Sequence, residues 1–114
     1  MTVLVAAFFV AMGLYALALP ERVLSFFGVA VVTRDGRNEV RAVYGGFGVA
    51  IGGLLLASLH APAIRPGVVV CVAVALFGMA GGRIAAALLD GRPGFYPMLF
   101  GGVEVAMAAA LLAS

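Results

Sequence analysis

Two ionisable side chains stand where the surrounding sequence is otherwise apolar. Arg83 lies in the run Gly78-Met79-Ala80-Gly81-Gly82-Arg83-Ile84, and Glu104 in Gly101-Gly102-Val103-Glu104-Val105-Ala106. A guanidinium and a carboxylate on separate segments can form a strong, charge-assisted pair. Four further polar groups are spaced to join them. Glu39, Arg41 and Tyr44 crowd within two helical turns, and Asp90 follows Arg83 by seven residues, on the same helical face.

Three uses are open for this set. It staples helices together and fixes their register. Alternatively it lines a water- or ligand-filled cavity, since ionisable groups inside a membrane commonly mark function. In the third reading, Arg41 and Arg83 reach out to lipid phosphates. An enzyme using Glu104 as a buried acid or base would also need an orienting partner and a substrate pocket, and the sequence shows neither. His60 is the only His and Cys71 the only Cys, so neither a metal cluster nor an internal disulfide is expected. His60 reads as an interfacial loop residue. There is no phosphate-binding loop and no serine-nucleophile motif, and nothing calls for a cofactor.

The elements that must hold these residues follow from composition. Of the 114 residues, 65% are hydrophobic, 16 are Gly and 11% are charged, where soluble domains carry roughly 25% charge. Such a chain cannot cover itself with polar surface, and a water-soluble monomer is excluded. Membrane-spanning helices need about 20 apolar residues each, so four fit and five do not. The expectation is one all-α domain over 1–114, an integral membrane four-helix bundle in up-down-up-down order. The first helix runs from Thr2 to Leu19 and ends at Pro20. Ala16-Leu17-Ala18 resembles a signal-peptide cleavage box, but no basic residue precedes it, and the segment is read as a retained helix. Val23 to Val32 is too short to span; with Phe26 and Phe27 it suits a segment in the interface or tucked against the bundle. Thr33 to Asn38 reads as a polar turn around Asp35-Gly36. The second helix is expected from Asn38, its N-cap, to Leu59; the third from Gly67 to Leu89; the fourth from Phe95 to Ala113. Asp90-Gly91-Arg92-Pro93-Gly94 forms a tight turn.

In this frame Arg83 lies about 9 Å inside one boundary and Glu104 about 15 Å, near the midplane, at 1.5 Å per residue. Glu104 is therefore expected to face the interior and pair with Arg83 or Arg41, with Tyr44 hydrogen-bonding nearby. Arg22, Arg34, Arg37 and Arg92 sit on one side and Arg65 alone on the other. That excess puts loops 20–38 and 90–94 in the cytoplasm and both termini outside. All seven cations are Arg, scattered and without neighbouring stacking aromatics, which argues against nucleic-acid binding.

Helices in lipid associate by close approach, and small residues mark where. Gly45, Gly48 and Gly52 form a stripe on the second helix, Gly78 and Gly82 on the third, and Gly101 opens the fourth. These stripes are expected to bring helices two, three and four together, or to face a partner.

Glu39-Val40-Arg41-Ala42-Val43-Tyr44-Gly45-Gly46, then Gly82-Arg83, Asp90-Gly91-Arg92-Pro93 and Glu104 resemble, in that order, small bacterial four-helix membrane proteins of domain-of-unknown-function family number 4345. The resemblance covers essentially the whole chain and includes the Pro20 and Gly28 signals. It implies the fold and a bacterial inner-membrane location, with these polar positions as the family's pattern; it implies no substrate. Small multidrug transporters share the length, but would carry an acid in the first helix, which is uncharged here.

Two functions are left. One is an accessory or interaction subunit of a membrane complex, its partners being membrane lipids and a larger membrane protein or a second copy. The other is binding or transport of a small polar or anionic ligand, or a lipid head group, by Arg41, Tyr44, Arg83 and Glu104.

Overall fold

The structure is a computed structural model that describes residues 1–114. It contains helices and no strand. Helix α1 (Thr2–Ala18) is uncharged. It stops because Pro20 has no amide hydrogen to continue the ladder. The chain turns at Leu19 into α2 (Pro20–Val23), which tightens to a 3-10 turn over Leu24–Phe27. The two arms meet at 118°. Gly28 ends the strap at φ 75°, a left-handed conformation that favours glycine, and Val29 to Val32 follow without regular structure.

Helix α3 (Arg34–Val40), a π-helical stretch (Arg41–Gly46) and α4 (Phe47–Ser58) form one continuous rod. Its start corrects the sequence reading. Thr33, not Asn38, is the cap: its side-chain oxygen accepts the Gly36 N–H at 2.9 Å. Asp35-Gly36 is consequently helical, with Asp35 in the first turn, where the helix dipole favours an acid. Helix α5 (Arg65–Asp90) starts at Arg65-Pro66, and α6 (Phe95–Leu112) follows a break at Gly91, φ 91°. Three rods are long and apolar enough to cross a membrane, namely Arg34–Ser58, Arg65–Asp90 and Phe95–Leu112, and α1 with its strap makes up to a fourth.

Two antiparallel helix pairs make up the body, and their membership corrects the expected one. The glycine stripe of the second rod faces α1, not α5 and α6. A Cβ at Gly48 would stand 3.0 Å from the Phe9 carbonyl oxygen, and one at Gly52 2.8 Å from that of Ala6. From the other side, a Cβ at Gly13 would come within 2.7 Å of the Gly45 carbonyl oxygen and the Val49 amide. These backbones approach so closely that only hydrogen fits between them. Gly45 makes room instead for the Leu17 side chain, whose Cγ would stand 2.7 Å from a Cβ there. By contrast Gly78 and Gly82 on α5 face open space, and Gly101 on α6 meets the Arg83 side chain. The pairs join along an apolar seam that includes Val5, Leu55, Val72, Leu76 and Leu111.

Because backbone flanks Gly13 on both sides, Gly13→Ala forces the α1/α4 pair apart. The expected cost is about 1–3 kcal/mol, read as a lower melting temperature in dodecylmaltoside. Gly53→Ala, whose Cβ meets nothing within 4 Å, is expected to melt at or slightly above wild type, because Ala costs less than Gly inside a helix.

Candidate functional site

Glu104 is the only charged residue that is buried. It sits on the inner face of α6, and Arg83 reaches it from α5. Arg83 Nε donates to Oε1 at 2.7 Å and to Oε2 at 3.2 Å, while Nη2 stands 2.7 Å from Oε1. The side chains are 28% and 4% exposed, respectively. This is the molecule's one salt bridge. Planar guanidinium and carboxylate groups meeting through two donors fix both distance and orientation.

The surroundings explain how α5 and α6 come to meet here. Gly101 lies one turn before Glu104, and a Cβ there would stand 3.3 Å from Arg83 Cδ. The glycine leaves a lane for the arginine stem. The Phe27 ring lies 5.5 Å from the guanidinium carbon, a cation–π contact that screens the pair. Phe27 in turn leans on Phe100 at 5.4 Å, and Phe26 on Tyr96 at 5.0 Å. The strap is thus tucked against α6, over the ion pair. The role of Phe27 was not visible in the sequence. A turn-forming glycine just after two aromatics was the available signal.

The remaining residues of the expected cluster are elsewhere. Arg41 does not join Glu104. Its Nε donates to the Leu17 carbonyl at 3.0 Å, at the end of α1, where carbonyls lack helical partners. The cause is the Pro20 bend, which leaves that carbonyl free and brings it beside the π-helical stretch. Tyr44 does not hydrogen-bond near Glu104; it is 43% exposed and lines a separate groove with Glu39. Asp90 ends α5 exposed and unpaired. Of six polar groups read as convergent, the structure brings two together.

A second polar junction was not foreseen. Arg65 Nη2 donates to the hydroxyls of Thr2 at 3.1 Å and Ser114 at 3.2 Å. Arg65 Nη1 is buried without a partner. The junction ties the starts of α1 and α5 to the end of α6. Its members lie 63 and 49 residues apart, a separation that no sequence pattern signals.

Chemically, the Arg83–Glu104 pair commits the carboxylate to Nε and Nη2 of the arginine. These atoms form one of the guanidinium's two two-donor edges. The arrangement ties α5 to α6. Searches of curated proteins and of solved structures find no match to this chain. One family model, described as Domain of unknown function (DUF4345), matches residues 1–114, the whole chain, and the protein belongs to that family.

Proposed function

We propose that this protein is an accessory or interaction subunit of the bacterial inner membrane, a four-helix bundle in up-down-up-down order that docks a larger membrane protein or a second copy against α5. The observation that carries this reading is the contrast between two sets of glycines. Gly13 of α1 and Gly48 and Gly52 of α4 are filled by the backbone of the facing helix. On α5, a Cβ at Gly78, Gly81 or Gly82 would meet nothing from a neighbouring element within 4 Å. Bare glycine spaced at three and four residues on a lipid-facing helix lets another helix come close.

Contacts support the orientation with loops 20–38 and 90–94 in the cytoplasm. The strap touches the start of α6 through Phe26 and Tyr96, so Arg22 and Arg92 share one end. Arg65, Thr2 and Ser114 share the other. Binding of a small anion by the polar cluster has less support, because Arg83 is already committed to Glu104 and Arg41 to a backbone carbonyl.

Native mass spectrometry of protein extracted in mild detergent tests the docking. The expected spectrum shows a stoichiometric larger subunit or a dimer. Gly78→Ile, placed where nothing crowds it, is expected to abolish that species while leaving the melting temperature unchanged. A lone wild-type chain, or an assembly indifferent to Gly78→Ile, would refute the reading.

The ion pair makes a second expectation. Arg83→Leu strands a buried carboxylate and is expected to cost about 3–5 kcal/mol, most of which Arg83→Leu with Glu104→Leu restores. Thermal unfolding in detergent measures both. Wild-type melting of the single variant would show that the pair does not hold α5 to α6.

A further inference from the structure

The Arg83–Glu104 pair is sealed on one side only. The Glu104 side chain is 4% exposed and that of Arg83 28%. Nε and one N–H of Nη2 go to the carboxylate, so both N–H groups of Nη1 and the second of Nη2 have no partner in the chain. Nη1 is not buried either, because the one buried side-chain donor without a partner is Arg65 Nη1. The guanidinium therefore presents its second two-donor edge outward. Phe27 stands 5.5 Å from the guanidinium carbon and brings no oxygen to that edge.

Position decides what can meet it. An arginine free to snorkel takes its charge toward the lipid phosphates. Arg83 is instead held at Glu104, about 15 Å along α6 at 1.5 Å per residue, near the middle of that 18-residue helix. Head groups are out of reach there, and the hydrocarbon core supplies no water to an unmet N–H. The acceptor must come from another molecule. Glu104 already neutralises Arg83, so a second carboxylate would leave a net negative charge in lipid. A neutral oxygen, from a carboxamide, a hydroxyl or a free backbone carbonyl, fills the edge and adds no charge.

Geometry says which surface brings that oxygen. At 3.6 residues per turn, Arg83 stands at the border of two stripes on α5. Leu76 and Ala80 lie buried on one flank, and Gly78, Gly82 and Ala86, four residues apart, lie exposed on the other. A helix seated on the exposed stripe passes beside the open edge. A second copy docked by two-fold symmetry would present the same patch. Residues 71–89 carry no side-chain oxygen, and such a pair would set two Arg83 side by side.

We propose that Arg83 recognises a partner as well as stapling the bundle: its open edge receives a neutral oxygen acceptor from a transmembrane helix of a different membrane protein, seated along Gly78, Gly82 and Ala86. The inference rests on docking through α5 and names the chemistry of what docks.

The test is native mass spectrometry of complexes extracted in mild detergent. The expected wild-type species is a heteromer with a larger subunit. Arg83→Lys keeps a cation for Glu104 but has no second edge, and Arg83→Leu with Glu104→Leu removes the pair altogether. Each is expected to retain the subunit about tenfold less than wild type, the worth of one or two hydrogen bonds. Glu104→Gln still accepts from Arg83 Nε and leaves the open edge in place, and is expected to keep the subunit. Cooperative thermal unfolding in detergent shows which variants are folded, and either arginine variant suffices. A homodimer overturns the proposal. So does a heteromer that the folded arginine variants leave intact, which spares docking itself where Gly78→Ile still dissociates it. Loss of the subunit in Glu104→Gln as well assigns the effect to the shape of the bundle and overturns the proposal too. A lone wild-type chain overturns both readings.

Discussion

A carboxylate on a helix that could cross a membrane must either find a cation or carry the full cost of desolvation. A single charge at the bilayer centre costs roughly 2.5–3.5 kcal/mol even on insertion scales. Glu104 meets Arg83 through two donors, and much of the α5/α6 half of the molecule follows from that meeting. The pair sets the sliding register of two helices that are otherwise nearly uniform in hydropathy. Residue 101 must be small so that the arginine stem can pass. The remaining approach to the guanidinium needs a cover that is apolar yet tolerant of charge, which Phe27 supplies. The strap's 118° bend is what carries that ring to its place.

The other half of the body uses a different adhesive. Apolar side chains gain little by leaving lipid for protein, so burial alone gives two membrane helices little reason to touch. α1 and α4 touch because Gly13, Gly48 and Gly52 remove side chains where the backbones cross, which lengthens the line of van der Waals contact. One charge contact strengthens it, from Arg41 to the open carbonyl of Leu17. The π-helical stretch falls at this place, where Gly45 and Gly46 follow each other and Leu17 presses on the rod. The two halves thus carry complementary specificity: backbone proximity in one, ion pairing in the other, and an apolar seam between them.

How much of this was legible follows the range of each interaction. Helix-length apolar runs are local and were readable, as were the breaks at Pro20 and Gly91. The need for Arg83 to reach Glu104 could be read from depth, because only charges at similar depth can neutralise one another. The glycine stripes could be read as places of close approach, but not with which neighbour, since spacing along one helix says nothing about the helix across from it. Arg41, in the first turn of its helix, lay on the same side as Glu104 but shallower than Arg83. It was diverted by a carbonyl that Pro20 leaves unserved, a backbone consequence that side-chain patterning does not display. The Thr33 cap was hidden by Asp35-Gly36, whose turn propensity a side-chain hydrogen bond overrode. Glu39 and Tyr44 point away from Glu104 because the rod turns them toward Val31 and Leu24, and that depends on where the irregular segment goes.

Each end of the molecule closes the two halves in its own way. At one end the strap, covalently continuous with α1, lays two aromatic rings on α6. At the other, Arg65 gathers hydroxyls from the start of α1 and the end of α6. Both closures run between α1 and α6, and α5 joins them only through Arg83 and Arg65 at its inner side. The consequence is an asymmetric helix. α5 spends its inner face on the ion pair and the seam and turns bare glycine outward. Gly53 of α4 and Gly102 of α6 are equally open, whereas Gly13, Gly48 and Gly52 lie against a facing backbone. Gly78 and Gly82 contribute no contact to the fold, while a glycine in a helix interior costs roughly 0.5–1 kcal/mol relative to Ala.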